Sequence, residues 1–566
     1  MDERIHGRKA MHRNQTARAT PERTRTSGAL FLSLLLCCNA LALSPARGAT
    51  YEVKQDGTGD FSVIQEAMDA AVDGDMVIVH PGSYRENIHF DGKNITLQSL
   101  DPEDEEIVAS TILDGSRKGS VVTFAGTEDR TCLLSGLTIT NGSSHDGGGI
   151  LGWDPSAYPP VCTQAGISNC TITGNSAGAC GGGVDCCNGT ITQCMITGNT
   201  AYTGGGLWCC DGPISKCVIA GNSASGWLGG GGGLYGGEGS ITDCTIAGNS
   251  TDSLGGGLFY YDGIISNCTI SSNSADWGGG LSFCRAQIDN CAISGNAADG
   301  EGGGLSDCAG RIRNCTISNN SAGSKGGGLG SCSGTIINCI VWGNHAPEGR
   351  ELSERDYVVT TFSCVRGWTG GGEGNISKDP LFVTGPLGDY YLSCRAAGQA
   401  ADSPCIDAGI ATGESVGLGK RTTRTDGVPD AGIVDMGYHY PVPDSKPRIG
   451  CSLNLADFQP GELLVAFVEG ENEGPDVAVD VYLGFVLPDG STLCHTGNDF
   501  EWDWVPWLAS ITLPQGFRCG STEAFRLVIP ENASTGDYLL GFALVRTNGP
   551  EGLTAASMFP FVISAK

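Results

Sequence analysis

Positive charge is what this sequence most lacks. Its 566 residues carry 33 Lys and Arg against 62 Asp and Glu, a formal charge of −29. Residues 1–49 hold eight of those cations and only three of the acids, so the remainder stands near −34. A surface of that sign excludes nucleic acid and anionic membranes as partners, because phosphate binding needs cationic neutralisation. It is compatible with calcium. Long apolar runs are missing too: after Leu43 none approaches the ~20 residues of a membrane-spanning helix. No cysteine pair has zinc-finger spacing, so the cysteines do not read as metal ligands. From Ile167 to Asn344 there is also no 3.6-residue apolar period and no helical punctuation.

What is present there is repetition. Ile-Ser-Asn-Cys-Thr-Ile-Thr-Gly-Asn, Ile167 to Asn175, recurs with variations, followed by Gly-Gly-Gly and an aliphatic residue. Its cysteine returns at Cys170, Cys194, Cys217, Cys244, Cys268, Cys291, Cys315 and Cys339, at intervals of 24, 23, 27, 24, 23, 24 and 24 residues. A period in this range means stacked units that share one core. Cys170 and Ile172 are two apart, the spacing of a strand with one buried face. Ile167 is three before Cys170, so a bend must fall between them, at the position of Asn169, Asn267, Asn290, Asn314 and Asn338. Gly174-Asn175 and Asn319-Asn320 mark a second corner. Gly-Gly-Gly then leads to one inward aliphatic: Val184, Leu207, Leu234, Leu258, Leu281, Leu305 or Leu329. Each repeat therefore reads as one turn of a parallel β-helix, with two or three short strands and equivalent residues about 4.8 Å apart along the axis.

The N-terminus predicts export. A basic stretch (Arg8, Lys9, Arg13, Arg18, Arg23, Arg25) precedes an apolar run from Ala29 to Leu43 and then small residues. That is a secretory signal, with cleavage expected after Ala42 or Gly48 and Met11 as a plausible start. Leu36 before Cys37 makes a poor lipid-attachment site, which favours release over anchoring. Twenty-six cysteines in an exported chain would ordinarily mean a disulfide framework. Here eight hold one inward column, and Cys187, Cys210, Cys284, Cys308 and Cys332 hold a second. In-register parallel strands supply the disulfide dihedral poorly, so most are expected to be free, buried thiols.

Ahead of the repeats, Asp60 to Ala71 predicts a short amphipathic helix and Met76 to Val79 a buried strand, together covering the open end of a solenoid. The segments "QDGTGDFSVIQEAMDAA" and "GDMVIVHPGSYRENI" resemble the opening of pectin methylesterases and of many bacterial β-helix proteins. "NCTITGNSA…GGGL" resembles the repeats of the latter, the secreted pectin-lyase-like superfamily. The resemblance spans residues 50–440 and implies a right-handed parallel β-helix. It implies no particular activity. The catalytic Gln-Asp and Asp-Phe-Ile-Phe-Gly segments of pectin methylesterases have no match here, nor does the Lys/Arg pair of β-helix alginate lyases. "VTTFSCVRGWTGGGEGNISKDPLFV", then "SPCIDAG" and "TDGVPDAGIVDMGYHYP", resemble the tails of such proteins. Within that tail Asp426, Asp430 and Asp435 suit calcium, though acids flanked by glycine are more often turn residues.

The expected organisation is all-β. Residues 1–49 are the signal region, 50–86 an N-terminal cap, 87–345 the β-helix, and 346–440 its last coils and C-terminal cap. A proline-containing linker follows at 441–447. Residues 448–566 alternate as strands at Glu462–Phe467, Asp480–Val486, Ala524–Ile529, Tyr538–Val545 and Phe559–Ile563, with turns at Leu487–Ser491 and Asn548–Gly552. That predicts an immunoglobulin-like β-sandwich, across which Cys494 and Cys519 are placed to pair, leaving Cys451 over.

Candidate site residues come from counting beyond the inward aliphatic. One residue on, pointing outward, stand Trp208, Tyr235 and Phe259 on three consecutive coils. A row of rings about 4.8 Å apart suits stacking on successive sugars. Four residues on stand Asp211, Glu238 and Asp262, then Arg285. Three carboxylates so close repel unless a cation such as calcium lies among them. Each precedes a glycine, so Asp-Gly turn chemistry is the plainer account. The longer excursion from Ser143 to Gly166, with Trp153, Asp154 and Tyr158, is placed to overhang a groove. A lyase needs a base and a group to neutralise the substrate carboxylate. The repeats from 141 to 345 offer only Lys216, Arg285, Arg311, Arg313 and Lys325, with His145 and His345, so Arg285 is the one catalytic candidate. Two function classes follow. The first is a secreted or cell-surface β-helix that binds polysaccharide or another surface ligand without catalysis. The second is a calcium-assisted polysaccharide lyase or glycosidase acting on an acidic glycan.

Overall fold

A bend between Ile167 and Cys170 is what the three-residue spacing demands, and the backbone makes it at Asn169, where φ is 52°. In later coils the same left-handed position holds Gln193, Lys216, Asp243, Asn267, Asn290, Asn314 and Asn338, with φ between 49° and 58°. Asparagine tolerates this conformation better than most residues, which is why it recurs. The computed structural model describes residues 48–154, 161–227, 229–353 and 357–442, and beyond 447 the strands and a few adjoining residues. The signal region, Tyr158 and most of the 441–447 linker lie outside the described residues, as do the turns at 487–491 and 548–552.

Four parallel sheets run along the solenoid. The first has 13 strands, from Thr50–Val53 to Tyr357–Thr361, and contains Gly166–Ser168. The second has 12, from Gly82–Tyr84 to Cys364–Val365, and contains Thr171–Thr173. A third of 10 strands, from Ile88–His89 to Leu329–Gly330, carries the aliphatic after Gly-Gly-Gly. The fourth has eight two-residue strands, from Ser143–Ser144 to Ser321–Ala322. Two residues are too few to show an alternation, so this fourth side was not legible in the repeat. The β-helix sheets also begin earlier than residue 87: Thr50–Val53 pairs in parallel with Met76–Val79, which pairs with Thr96–Ser99. The expected helix forms at Ile64–Ala70 and buries Ile64, Ala67 and Met68 against the core. Its first amides donate to the Glu86 carboxylate rather than to a local cap.

Equivalent residues stack in register: Ile167 on Ile191, Ile172 on Ile196, Val184 on Leu207. Each column isoleucine is buried, which contributes roughly 2 kcal/mol. The cysteines of both columns are buried beside them. Along the first, five amides donate to the next thiol, as from Cys291 N to Cys315 Sγ at 3.3 Å and from Cys315 N to Cys339 Sγ at 3.4 Å. Ser363 continues the column, its Oγ accepting from Cys339 N at 3.0 Å. Burial pushes the Cys268, Cys291, Cys315 and Cys339 thiols well above their ordinary range, so they stay neutral. In the second column Tyr261 interrupts the cysteines. Its ring fills the space left by Gly237, where a Cβ would stand 2.7 Å from Cε2. Among the described residues one disulfide forms, Cys162 to Cys186, outside both columns.

The second corner is held by an asparagine ladder. Asn175, Asn199, Asn222, Asn249, Asn273, Asn296, Asn320 and Asn344 are all buried. Asn222 is representative: its Nδ2 donates to Ile196 O at 2.8 Å and to Asn249 Oδ1 at 3.0 Å, and its backbone N donates to the same Oδ1. Every polar atom is thereby used, which is what permits amides in a core. The glycines answer a different demand. A Cβ at Gly205 would lie 2.4 Å from Ser223 O, and one at Gly206 2.5 Å from Gly233 O, so no other residue lets adjoining coils approach.

Beyond Val365 the chain turns back along the solenoid wall. Gly437 N reaches Asn338 O, Tyr438 N reaches Thr316 Oγ1, and His439 exchanges two hydrogen bonds with Asn290. The His439 ring is wholly buried, with Nε2 2.9 Å from Asp430 Oδ2. Asp430 also accepts from Asp435 N, and Asp435 accepts from Asp407 N and from Thr423 Oγ1. These acids hold the segment to itself. Past 447 the described strands form an antiparallel sheet of three strands and a seven-stranded sheet, antiparallel except where Asp457–Phe458 pairs in parallel with Leu553–Ile563, around a buried cluster that includes Phe458, Leu464, Val479, Leu483 and Leu540. All five strands expected from alternation are present, most of them longer, as in Val477–Val486 and Gly536–Arg546.

Candidate functional site

The residue after the inward aliphatic belongs to the third sheet, and its register runs Leu151, Asp185, Trp208, Tyr235, Phe259, Ser282, Ser306. Gly-Gly-Gly folds the chain back so tightly that this residue meets the first glycine of its own triplet. A Cβ on Gly204 would stand 3.0 Å from Trp208 Cβ, and one on Gly278 2.7 Å from Ser282 Cβ. The column therefore lies inside a corner of the solenoid. It faces away from the core, yet small members are covered: Ser282 is 0% exposed and Ser306 1%.

Within that corner the rings touch. Trp208 and Tyr235, both half-buried, lie 6.2 Å apart between centroids and 20° from parallel. Tyr235 meets Phe259 edge-on at 5.3 Å. The expectation that Phe259 points into solvent is corrected: it is 3% exposed, because Tyr235, Tyr260 and Phe283 surround it. Tyr260 and Phe283 were not singled out from sequence. They occupy the left-handed turn position after the column, with φ 57° and 52°, where strand alternation no longer says which way a side chain points. Their rings stack at 5.9 Å and 13°, and they are 52% and 37% exposed. An aromatic two positions past the aliphatic was the available signal.

Asp211, Glu238, Asp262 and Arg285 are all exposed. They succeed Asn188 in an axial chain of side-chain-to-backbone bonds. Asp211 N donates to Asn188 Oδ1 at 3.0 Å, Glu238 N to Asp211 Oδ1 at 3.1 Å, and Arg285 N to Asp262 Oδ1 at 3.3 Å. The glycines beside them pack against the preceding coil, where a Cβ on Gly239 would lie 2.5 Å from Asp211 O. Two of the three carboxylates thus serve the turn. Among the described residues no three His, Cys, Asp or Glu side chains gather as a metal cage, and Arg285 forms no ion pair.

Sequence reasoning missed Asp185. It is 1% exposed, and its Oδ2 accepts from the Trp153 indole Nε1 at 3.4 Å. Its Oδ1 has no partner among the described residues. Burial, with a smaller contribution from Asp146, pushes its carboxyl up to about 7. Trp153 comes from the long excursion, which Cys162 pins to Cys186, the residue following Asp185. The signal was an acid standing where neighbouring coils carry rings. A separate open cleft of about 520 Å³ lies at the far end of the solenoid, lined by Arg350, Leu352, Val365, Arg366 and Trp368 among others.

Fold and site together define a parallel β-helix protein with a partly exposed aromatic strip in one corner. No protein-family model matches the chain, and no curated protein does. Among solved structures it is similar to the pectate lyase Pel9A, at 13% identity and a TM-score of 0.35, covering 69% of this chain and 97% of that one. A CARDB domain from Pyrococcus furiosus, solved with two metal ions, matches at 13% identity and a TM-score of 0.15, covering 22% and 89%. The sporulation control protein Spo0M from Bacillus subtilis matches at 11% and 0.16, covering 21% of this chain and half of its own. Among the described residues no helix is long and apolar enough to cross a membrane.

Proposed function

We propose that this protein is exported and binds a polysaccharide along the strip formed by Trp208, Tyr235, Tyr260 and Phe283, without transforming it. The observation that carries the reading is the strip itself. Two stacked pairs, Trp208 with Tyr235 and Tyr260 with Phe283, follow one another along adjoining coils with faces or edges open to solvent. Partly exposed aromatic surface of this extent is uncommon unless something covers it, and flat rings offer apolar faces to the apolar faces of sugars. Phe259 acts beneath the strip as its support. The basic and apolar segments ahead of residue 49 support export. An immunoglobulin-like sandwich formed by residues 448–566 would then serve attachment or further binding.

The test is retardation of the full chain in native gels cast with a panel of soluble polysaccharides. Trp208→Ala and Tyr260→Ala should each weaken binding at least about tenfold. Equal mobility of wild type and both variants across the panel would remove the reading. Release of reducing ends or unsaturated products from any of them would replace binding alone with catalysis.

A further inference from the structure

We propose that the cleft at the far end of the solenoid is a second binding site, taking a small organic carboxylate whose body is apolar. The site is separate from the aromatic strip and independent of what the strip binds. The cleft opens where the second and third sheets end, at Cys364–Val365 and Leu329–Gly330. Arg350 and Leu352 belong to the chain that lies on the end of the third sheet: Gly328 N donates to Arg350 O at 3.1 Å, and Leu352 bridges Leu329. Arg366 and Trp368 follow the last strand of the second, with Arg366 N donating to Val341 O at 3.2 Å. Within the repeats the next coil covers each inward side chain. These two sheets end here, so Leu352 and Trp368 pack against the core yet stay half-buried. The volume of about 520 Å³ falls within the roughly 300–1,000 Å³ of small-molecule sites.

Charge selects the ligand. The chain has 62 acids against 33 Lys and Arg, yet Arg350 and Arg366 both line this one cleft, and among the described residues neither forms an ion pair. Arg366 is steadied by the Trp342 ring, whose centroid lies 5.8 Å from its Cζ. Glu351, the one acid in the lining, is already engaged, since its oxygens accept from Gly343 and Asn344. Burial raises the Glu351 carboxyl and the Arg366 charge opposes that rise, so the guanidinium acts on the wall of the cleft. Guanidinium forks match a carboxylate in geometry as well as in charge. A bare anion would leave Leu352 and Trp368 uncovered, and an apolar molecule would leave the arginines without a counterion. A carboxylate on an apolar body meets both demands.

Fluorine NMR of para-fluorobenzoate mixed with the full chain tests this. The signal should broaden with protein, and benzoate should restore it while equal concentrations of acetate, phosphate or benzamide should not. Arg350→Gln and Arg366→Gln should each weaken binding about tenfold, the loss of a charged hydrogen bond. Salt should weaken it too, because both arginines are exposed. Lys216→Gln, which removes a cation from another coil, should change nothing, and Gln193 already holds that bend one coil earlier. Should Arg366→Gln fail to fold, Arg350→Gln decides alone. Displacement by benzamide as strong as that by benzoate overturns the carboxylate. Equal displacement by acetate or phosphate overturns the apolar body and leaves an adventitious ion only. Undiminished binding by the arginine variants, or an equal loss in Lys216→Gln, places the ligand outside the cleft and overturns the site. A signal that stays sharp overturns it outright.

Discussion

Glu351 stands directly beyond Asn344 and closes the asparagine ladder: Asn344 donates to its Oε2 from Nδ2 at 2.6 Å and from N at 3.2 Å, and Gly343 N donates to Oε1 at 3.0 Å. A ladder of amides ends with donors that need an acceptor, and a carboxylate offers two. Burial raises the Glu351 carboxyl above its ordinary value despite those three donors. A carboxyl raised in the folded state stabilises most at low pH and loses that contribution as pH rises through the raised value. Glu351→Gln keeps an acceptor and carries no charge, so above that window it should match or exceed wild type in stability. Glu351→Ala leaves the donors unpaired and should cost about 1–3 kcal/mol. Urea melts at pH 5 and pH 8 check both, and an alanine variant as stable as wild type would contradict the ladder's need for a terminus.

The ladder's interior is more demanding. Asn249→Ala removes the acceptor of Asn222 N and Nδ2 and the donor to Ile219 O. Unpaired groups in a core should lower stability by on the order of 3 kcal/mol. Calorimetry measures this directly, and a loss too small to detect would mean the coils do not depend on the amide column.

Asp185 gives a pH dependence of opposite origin to a salt bridge. Its folded value near 7 exceeds that of an unfolded aspartate, so the folded state holds the proton more tightly between those limits. Stability should fall as pH rises from about 4 to about 7, by at most about 4 kcal/mol, and then level off. Asp185→Asn should flatten the fall. Identical pH profiles for the two proteins would show that the carboxyl is not raised.

Thiol chemistry tests the cysteine columns. Nineteen described cysteines are free and Cys162 is bonded to Cys186. Denatured but unreduced protein should therefore take label at most of its 26 cysteines, and mass mapping should find the Cys162 and Cys186 peptides joined. Labelling of only a few would mean the columns are crosslinked.

Calcium addresses Asp211, Glu238 and Asp262. Two of these carboxylates already accept a backbone amide, so the melting temperature should be the same in calcium and in chelator. A rise in calcium that disappears in the triple change to Asn, Gln and Asn would place an ion on that column.

The period of the cysteines and the parity break at Asn169 determined the solenoid, its strand registers and the identity of the inward columns, because a buried side chain must return at the same position in every coil. The left-handed bend was legible for the same reason: few residues besides asparagine and glycine adopt it cheaply. Nothing in the sequence spelled out the fourth sheet, the ladder as a hydrogen-bonded column ending on Glu351, or the return of His439 to Asn290. Two-residue strands carry no alternation, and contacts 149 residues apart leave no local pattern. The site divides along the same line. Trp208 and Tyr235 could be found by counting, since their register is that of the repeat. Burial of Phe259, exposure of Tyr260 and Phe283, and the covered carboxyl of Asp185 depend on a corner that exists only once Gly-Gly-Gly has folded each coil back on itself, so only the tertiary structure decided them.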